Sequence, residues 1–154
     1  MSRWQSWLSH IATVAVGISG IVYLVMKYFM KNDDPFALVN HPLQPLMLDL
    51  HLLAGPALVF LCGLMFESHI QRRLLSGSLP NRKSGIIAAV TFAVMTVSGY
   101  ALQVTAIESL SRTAMVLHLV SSGVFLLSYV VHQIVNFLLW RRVRQNSAQF
   151  VFDA

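Results

Sequence analysis

The stretch Leu110–Trp140, LSRTAMVLHLVSSGVFLLSYVVHQIVNFLLW, holds one charged side chain, Arg112, and two histidines, His118 and His132. A helix crosses a bilayer with about 20 apolar residues at a rise of 1.5 Å each. The stretch exceeds that length, so it reads as a membrane helix that projects into water at its C-terminal end. Three further segments of the same kind precede it, at about 7–30, 46–70 and 84–106. The expected fold is an all-α membrane protein, a four-transmembrane-helix bundle forming a single domain over residues 1–154. Strand-type alternation is absent, and a membrane β-barrel needs many more segments.

Composition agrees. Of 154 residues, 56% are apolar and only 11% charged, against about 25% charged in an average soluble domain. This excludes an ordinary soluble domain and a disordered chain. The lone cysteine, Cys62, excludes an internal disulfide framework, a cysteine-based zinc site, an iron–sulfur cluster and a covalent c-type haem motif. Mid-segment in apolar surroundings, it reads as an inert packing residue. The first segment follows a short positive region, yet it is long for a signal core and no small-residue cleavage site comes after it. It reads as a permanent helix.

The net charge of +5 has a topological explanation that needs no nucleic acid. Arg3, Arg72, Arg73, Arg82, Lys83, Arg141, Arg142 and Arg144 flank one side of the four segments. Only Lys27, Lys31 and Arg112 flank the other. The positive-inside rule places both termini and the second loop in the cytoplasm. Trp4, Trp7 and Trp140 mark the inner interface, as aromatic belts do. The first loop, NDDPFALVNHPLQP, has three prolines and no helical period, and is expected to fold over the outer helix ends. The second carries a turn cluster, Gly77, Pro80 and Asn81. There is no repeat of solenoid length and no low-complexity tract.

Five of the six histidines lie within or at the ends of the apolar segments: His10, His51, His69, His118 and His132. Ionisable groups inside a bilayer are costly and are functional candidates by default. His118 and His132 are fourteen residues apart, which is about 21 Å along a helix and about 40° short of whole turns. Both therefore face one side, one near each leaflet. That spacing suits two stacked haems and not a single metal ion, whose ligands converge within a few ångström. His51 lies about one turn into the second segment and matches His118 in depth. At the depth of His132, His10 and His69 compete. His41, in the outer loop, reads as a surface histidine, with a lid or partner contact as the alternative. The methionines read as packing residues.

A porphyrin needs room between helices, and small residues lie near the candidates: Gly17, Gly20, Gly55, Gly99, Ser121, Ser122 and Gly123. Such residues also serve plain helix packing in membranes. Arg112 and Lys27 on the outer side, and Arg3, Arg141 and Arg142 on the inner side, suit haem propionates as well as topology.

One histidine on helix one, one on helix two and an H-x13-H pair on helix four resemble the bacterial cytochrome b561 superfamily. The plan is also similar to the haem b subunits of membrane formate dehydrogenases and nickel–iron hydrogenases. LHLVSSGVFLLSYVVH (Leu117–His132) resembles their fourth helix, and LHLLAGPALVFLCGLMF (Leu50–Phe66) their second. The run DPFALVNHPLQP…LHLLAGP…ESHI resembles a group of small four-helix membrane proteins related to them. The resemblance implies an outer haem b between His51 and His118 and an inner one between His10 and His132. His69 departs from the pattern and stands as an alternative to His10, or as part of an inner quinone pocket.

The implied activity is electron transfer across a bacterial inner membrane, between the quinone pool and a redox partner. The chain would be the multi-pass membrane subunit of a larger respiratory complex, its partner a periplasmic cytochrome or another redox subunit. Protonatable candidates beside a quinone are Glu67 and His69 on the inner side and Asp49 or Glu108 on the outer. Tyr100 and Gln103 suit a quinone carbonyl. The competing reading is a haem-free membrane scaffold or small transporter subunit, whose histidines bond between helices or carry protons. A transition-metal transporter would instead cluster its ligands near the midplane, which these histidines avoid.

Overall fold

A computed structural model describes residues 3–34, 36–75 and 82–152. All its regular structure among those residues is helical. Helix α1 spans Arg3–Tyr28 and α2 spans Gln44–Met65, which continues through a π-helical turn, Phe66–Gln71, into the short α3, Arg72–Leu75. Helix α4 spans Arg82–Val104 and α5 spans Glu108–Phe152. Four of these, with α5 taken over Glu108–Arg142, are long and apolar enough to cross a membrane. The turn cluster at Gly77, Pro80 and Asn81 lies outside the described residues.

The helix limits follow from local chemistry. Helix α1 closes with the Phe29 and Met30 N–H groups both donating to the Val25 carbonyl, just before the polar run Asn32–Asp34. Helix α2 begins two residues earlier than the apolar pattern indicates, because Pro45 fits the first turn, where no N–H is needed. Pro56 sits inside α2, where it removes one backbone hydrogen bond. The apolar segment read as ending near residue 70 is a regular helix only to Met65. Beyond it the backbone widens into the π-helical turn that carries Glu67 and His69, a rare form that often accompanies functional sites. Helix α5 runs past Trp140 for 45 residues in all, about 68 Å. No glycine or proline interrupts its polar end, and Arg141 and Arg144 lie over the rings of Phe137 and Trp140, at 5.7 and 4.9 Å.

The residues group into two compact units, Met1–Gln71 and Arg72–Ala154. In the first, α1 packs along α2; in the second, α4 packs along α5. Burial is the reverse of a soluble protein's. Ser9, Thr13, Ser19, Ser98, Ser121 and Ser128 are buried, while Leu53 is 75% exposed, Val97 71% and Leu127 67%. Large apolar side chains on the outside and small hydroxyl residues between closely packed helices fit a lipid solvent. Most of these hydroxyls bond within their own helices. Ser9 donates to the Gln5 carbonyl, Thr13 to Ser9, Ser19 to Ala15 and Ser98 to Val94, at 2.7–2.8 Å. An unpaired hydroxyl in hydrocarbon would cost several kcal/mol, on the order of 4–8.

The loop after α1 is a pinned strap. Asn40 donates its side-chain amide to the Lys27 carbonyl at 2.8 Å, capping the end of α1. Asn32 donates to the Val39 carbonyl and accepts from the Asp34 N–H. His41 takes a structural part here: its Nδ1 accepts the Leu43 N–H at 3.1 Å, in the turn that opens α2. In the second unit the link is only Thr105–Ile107, closed by the Thr105 N–H on the Ala101 carbonyl.

Candidate functional site

Helix α2 carries His51 to the face that meets α1. Its Nδ1 lies 3.0 Å from the Val16 carbonyl oxygen and 3.4 Å from Ser19 Oγ. A carbonyl can only accept, so in that bond Nδ1 carries the proton. In a neutral ring that bond puts the lone pair on Nε2, the nitrogen a metal would take. The imidazole lies against Gly20, where a Cβ would come within 2.8 Å of Cε1 and 3.0 Å of Nδ1.

Helix α5 treats His118 in the same way. Its Nδ1 donates to the Met95 carbonyl of α4 at 2.8 Å. A Cβ at Gly99 would meet its Cε1 at 3.0 Å and its Nδ1 at 3.1 Å. Gly20 and Gly99, read from the sequence as room for a porphyrin, are therefore filled by imidazoles. A Cβ at Gly55, one turn after His51, would meet nothing within 4 Å; Gly123, five residues after His118, is about 140° round the helix from it and exposed.

His132 is held more loosely. Its Nδ1 lies 3.3 Å from Ser84 Oγ, and Gly85 is 3.5 Å from its Cε1 by the same Cβ measure. A hydroxyl both donates and accepts, so this contact leaves the tautomer open.

The two contenders for the remaining position lie at one end of the first unit. Ser9 donates to the Met65 sulfur at 3.4 Å, which brings the His10 level of α1 to the end of α2, four residues before His69. His10 engages a different nitrogen: its Nε2 lies 3.3 Å from Ser6 Oγ on its own helix. To present that nitrogen to a metal, the ring must turn away from Ser6. His69 is half-buried in the π-helical turn, and Glu67 beside it is exposed. Each expected ligand pair takes one histidine from each unit: His10, His51 and His69 belong to the first, His118 and His132 to the second.

The polar groups expected at the ends of the helices are mostly occupied. Arg112 forms an ion pair with Glu108 at 2.6 Å, with both side chains more than 70% exposed. Lys27 lies over the rings of Tyr23 and Tyr28, 5.5 and 5.6 Å from their centroids. Gln103 reaches the Gly99 carbonyl at 3.5 Å, and Tyr100 and Asp49 are exposed.

Family models, characterised proteins and solved structures offer no match to the chain. The site stands on its own geometry. No three His, Cys, Asp or Glu side chains converge as a metal site among the described residues. What the arrangement can do is orient imidazoles from a neighbouring helix: His51 and His118 are tied at Nδ1 by a backbone carbonyl, and His132 at Nδ1 by the Ser84 hydroxyl. The groups that tie them, the Val16 and Met95 carbonyls with Ser19, Ser84 and Ser98 around them, were not singled out from the sequence. The available signal was the dipeptide Ser-Gly, which recurs as ISG in α1 and as KSG and VSG in α4.

Proposed function

We propose that the chain is a b-type membrane cytochrome with two bis-histidine haem sites, passing electrons across a bacterial inner membrane between the quinone pool and a redox partner. The outer site is assigned to His51 and His118. The inner site is assigned to His132 with His10, and His69 is the alternative. The observation that carries the reading is the Nδ1 bond from His51 to Val16 and from His118 to Met95. Ligating histidines commonly donate their other ring nitrogen to a carbonyl or carboxylate, which fixes the tautomer and aims Nε2. Gly55, one turn beyond His51 and on its side of the helix, adds support, because a flat ring needs clearance beside its ligand.

The residues divide the work. The Val16 and Met95 carbonyls hold the imidazole planes and deepen the electron density on Nε2. The exposed apolar faces of the four long helices keep the sites in lipid, where a low dielectric favours one-electron exchange over side reactions. A haem with two imidazole ligands has no open coordination position and supplies electron transfer rather than oxygen chemistry. Glu67 and His69, together in the π-helical turn, are the protonatable groups suited to an inner quinol. With its mass given to spanning helices, the chain is cast as the membrane subunit of a larger respiratory complex, with a periplasmic cytochrome or other redox subunit as partner.

The test is the haem content of single variants, read as pyridine haemochrome per purified chain. His51→Ala and His118→Ala are each expected to lose the same haem, leaving about one of two. Full haem in both variants removes the assignment. If the wild type binds none, the same histidines become interhelical hydrogen bonders of a scaffold or small transporter subunit.

A further inference from the structure

The two units share a construction that neither the composition nor the resemblance calls for. In α1, Ser19 donates to the carbonyls of Ala15 and Val16, four and three residues back, at 2.7 and 3.2 Å. His51 of α2 takes the same Val16 carbonyl, and Gly20 lies against its ring. In α4, Ser98 donates to the carbonyls of Val94 and Met95, again four and three residues back, at 2.7 and 3.1 Å. His118 of α5 takes the same Met95 carbonyl, and Gly99 lies against its ring. The histidine strands of the pattern are alike as well: Leu50-His51-Leu52-Leu53-Ala54 and Leu117-His118-Leu119-Val120-Ser121.

We infer that Ser19–Gly20 and Ser98–Gly99 are a duplicated imidazole seat, and that these four residues position His51 and His118. Each part has a physical job. A serine hydroxyl bonded back to the i−4 and i−3 carbonyls draws on a backbone oxygen and bends the helix slightly there. The serine's one hydrogen goes chiefly to the closer i−4 carbonyl, so the i−3 carbonyl, which spends one lone pair on the helical N–H of the glycine, keeps the other for the histidine. The missing Cβ of the glycine lets the ring reach that oxygen. Seating is graded along the chain. A methyl at Gly20 falls inside the distance real Cβ contacts keep, and one at Gly99 makes a tight contact at 3.0 Å; the atoms met are imidazole atoms, so it is the ring that must give. At Gly85 the same methyl makes an ordinary contact with His132 at 3.5 Å.

The seat concerns the imidazoles and stands without a ligand; its consequence for haem rests on the cytochrome reading above. The experiment separates the two. The full chain is labelled with ring 15N-histidine, placed in lipid nanodiscs under reducing conditions, and its signals assigned with single His→Gln variants. The wild type is expected to show His51 and His118 each as one Nδ1–H tautomer. Gly20→Ala is expected to convert the His51 signal alone to a tautomer mixture, and Gly99→Ala the His118 signal alone. Gly85→Ala is expected to leave the His132 signal in place. If an alanine variant fails to accumulate, Ser19→Ala and Ser98→Ala carry the test, each expected to shift the Nδ1 resonance of its own histidine only.

Haem is counted on the same samples. Locked tautomers without haem leave the seat standing and remove the cytochrome. Haem present with His51 and His118 signals indifferent to all four substitutions overturns the seat and leaves the cytochrome. An Nε2–H tautomer at either histidine in the haem-free chain also overturns the seat.

Discussion

His118 of α5 donates its Nδ1 proton to the Met95 carbonyl of α4 across 2.8 Å. The bond ties the long helix to its neighbour at one point and settles which nitrogen of the ring is basic. His51 and Val16 repeat it in the other helix pair at 3.0 Å. A net hydrogen bond of this kind is worth only about 1 kcal/mol to stability. Its larger effect is on direction, because a ring held at Nδ1 has one orientation left for Nε2.

Direction gives the first prediction at the inner site. His132→Ala is expected to remove one haem of two while leaving the His118 site loaded. Redox titration of the variant in the visible region checks it, with one low-spin component expected in place of two. Loss of both components would tie the sites together in a way the separate contacts of His118 and His132 do not.

His10 and His69 differ in what they must give up to bind iron. His10 must leave Ser6, and His69 sits in a widened helical turn. His10→Ala is expected to lose the inner haem and His69→Ala to keep it while slowing quinol oxidation. Haem content and quinol-dependent haem reduction, measured on both variants side by side, distinguish ligand from proton carrier. The reverse pattern assigns His69 as the ligand.

Phe125 is one of the few buried large apolar residues, with Phe92 5.6 Å and Tyr129 6.2 Å away between ring centroids. Phe125→Ala is expected to destabilise the α4–α5 pair by about 3 kcal/mol, the lower range for a buried phenylalanine. Thermal unfolding followed by circular dichroism in detergent reads the loss. Glu108→Ala, which breaks the exposed ion pair with Arg112, is expected to change the same transition by less than about 1 kcal/mol.

The strap after α1 predicts a local effect. Asn40→Ala removes the side-chain cap on the Lys27 carbonyl, at a cost of about 1 kcal/mol. Hydrogen exchange is expected to quicken over residues 31–43 and the last turn of α1 and to stay unchanged in α4 and α5. Uniform quickening would mean that the strap holds more than its own helix.

Much of the fold was legible, because a helix in lipid is specified by length and hydropathy, both of which a sequence carries openly. The limits of α1, α4 and the start of α2 fall within a few residues of the apolar pattern. Two departures have physical causes. Hydropathy does not encode backbone pitch, so the π-helical turn at Phe66–Gln71 was invisible. The polar end of α5 has no apolar signal, yet it remains helical where no breaker occurs and Arg144 covers Trp140. At the candidate site, the histidines declared themselves by their cost in a bilayer. Their partners did not, since a backbone carbonyl leaves no mark in a sequence. Gly20 and Gly99 are legible as small residues, but that imidazoles of His51 and His118 lie against them is not.

The most direct test of the central claim is the reduced-minus-oxidised visible spectrum of the purified full-length protein, expressed with haem available, with haem counted per chain. The account predicts a low-spin b-type α band and about two haems per chain. A protein that folds and carries no haem would contradict it.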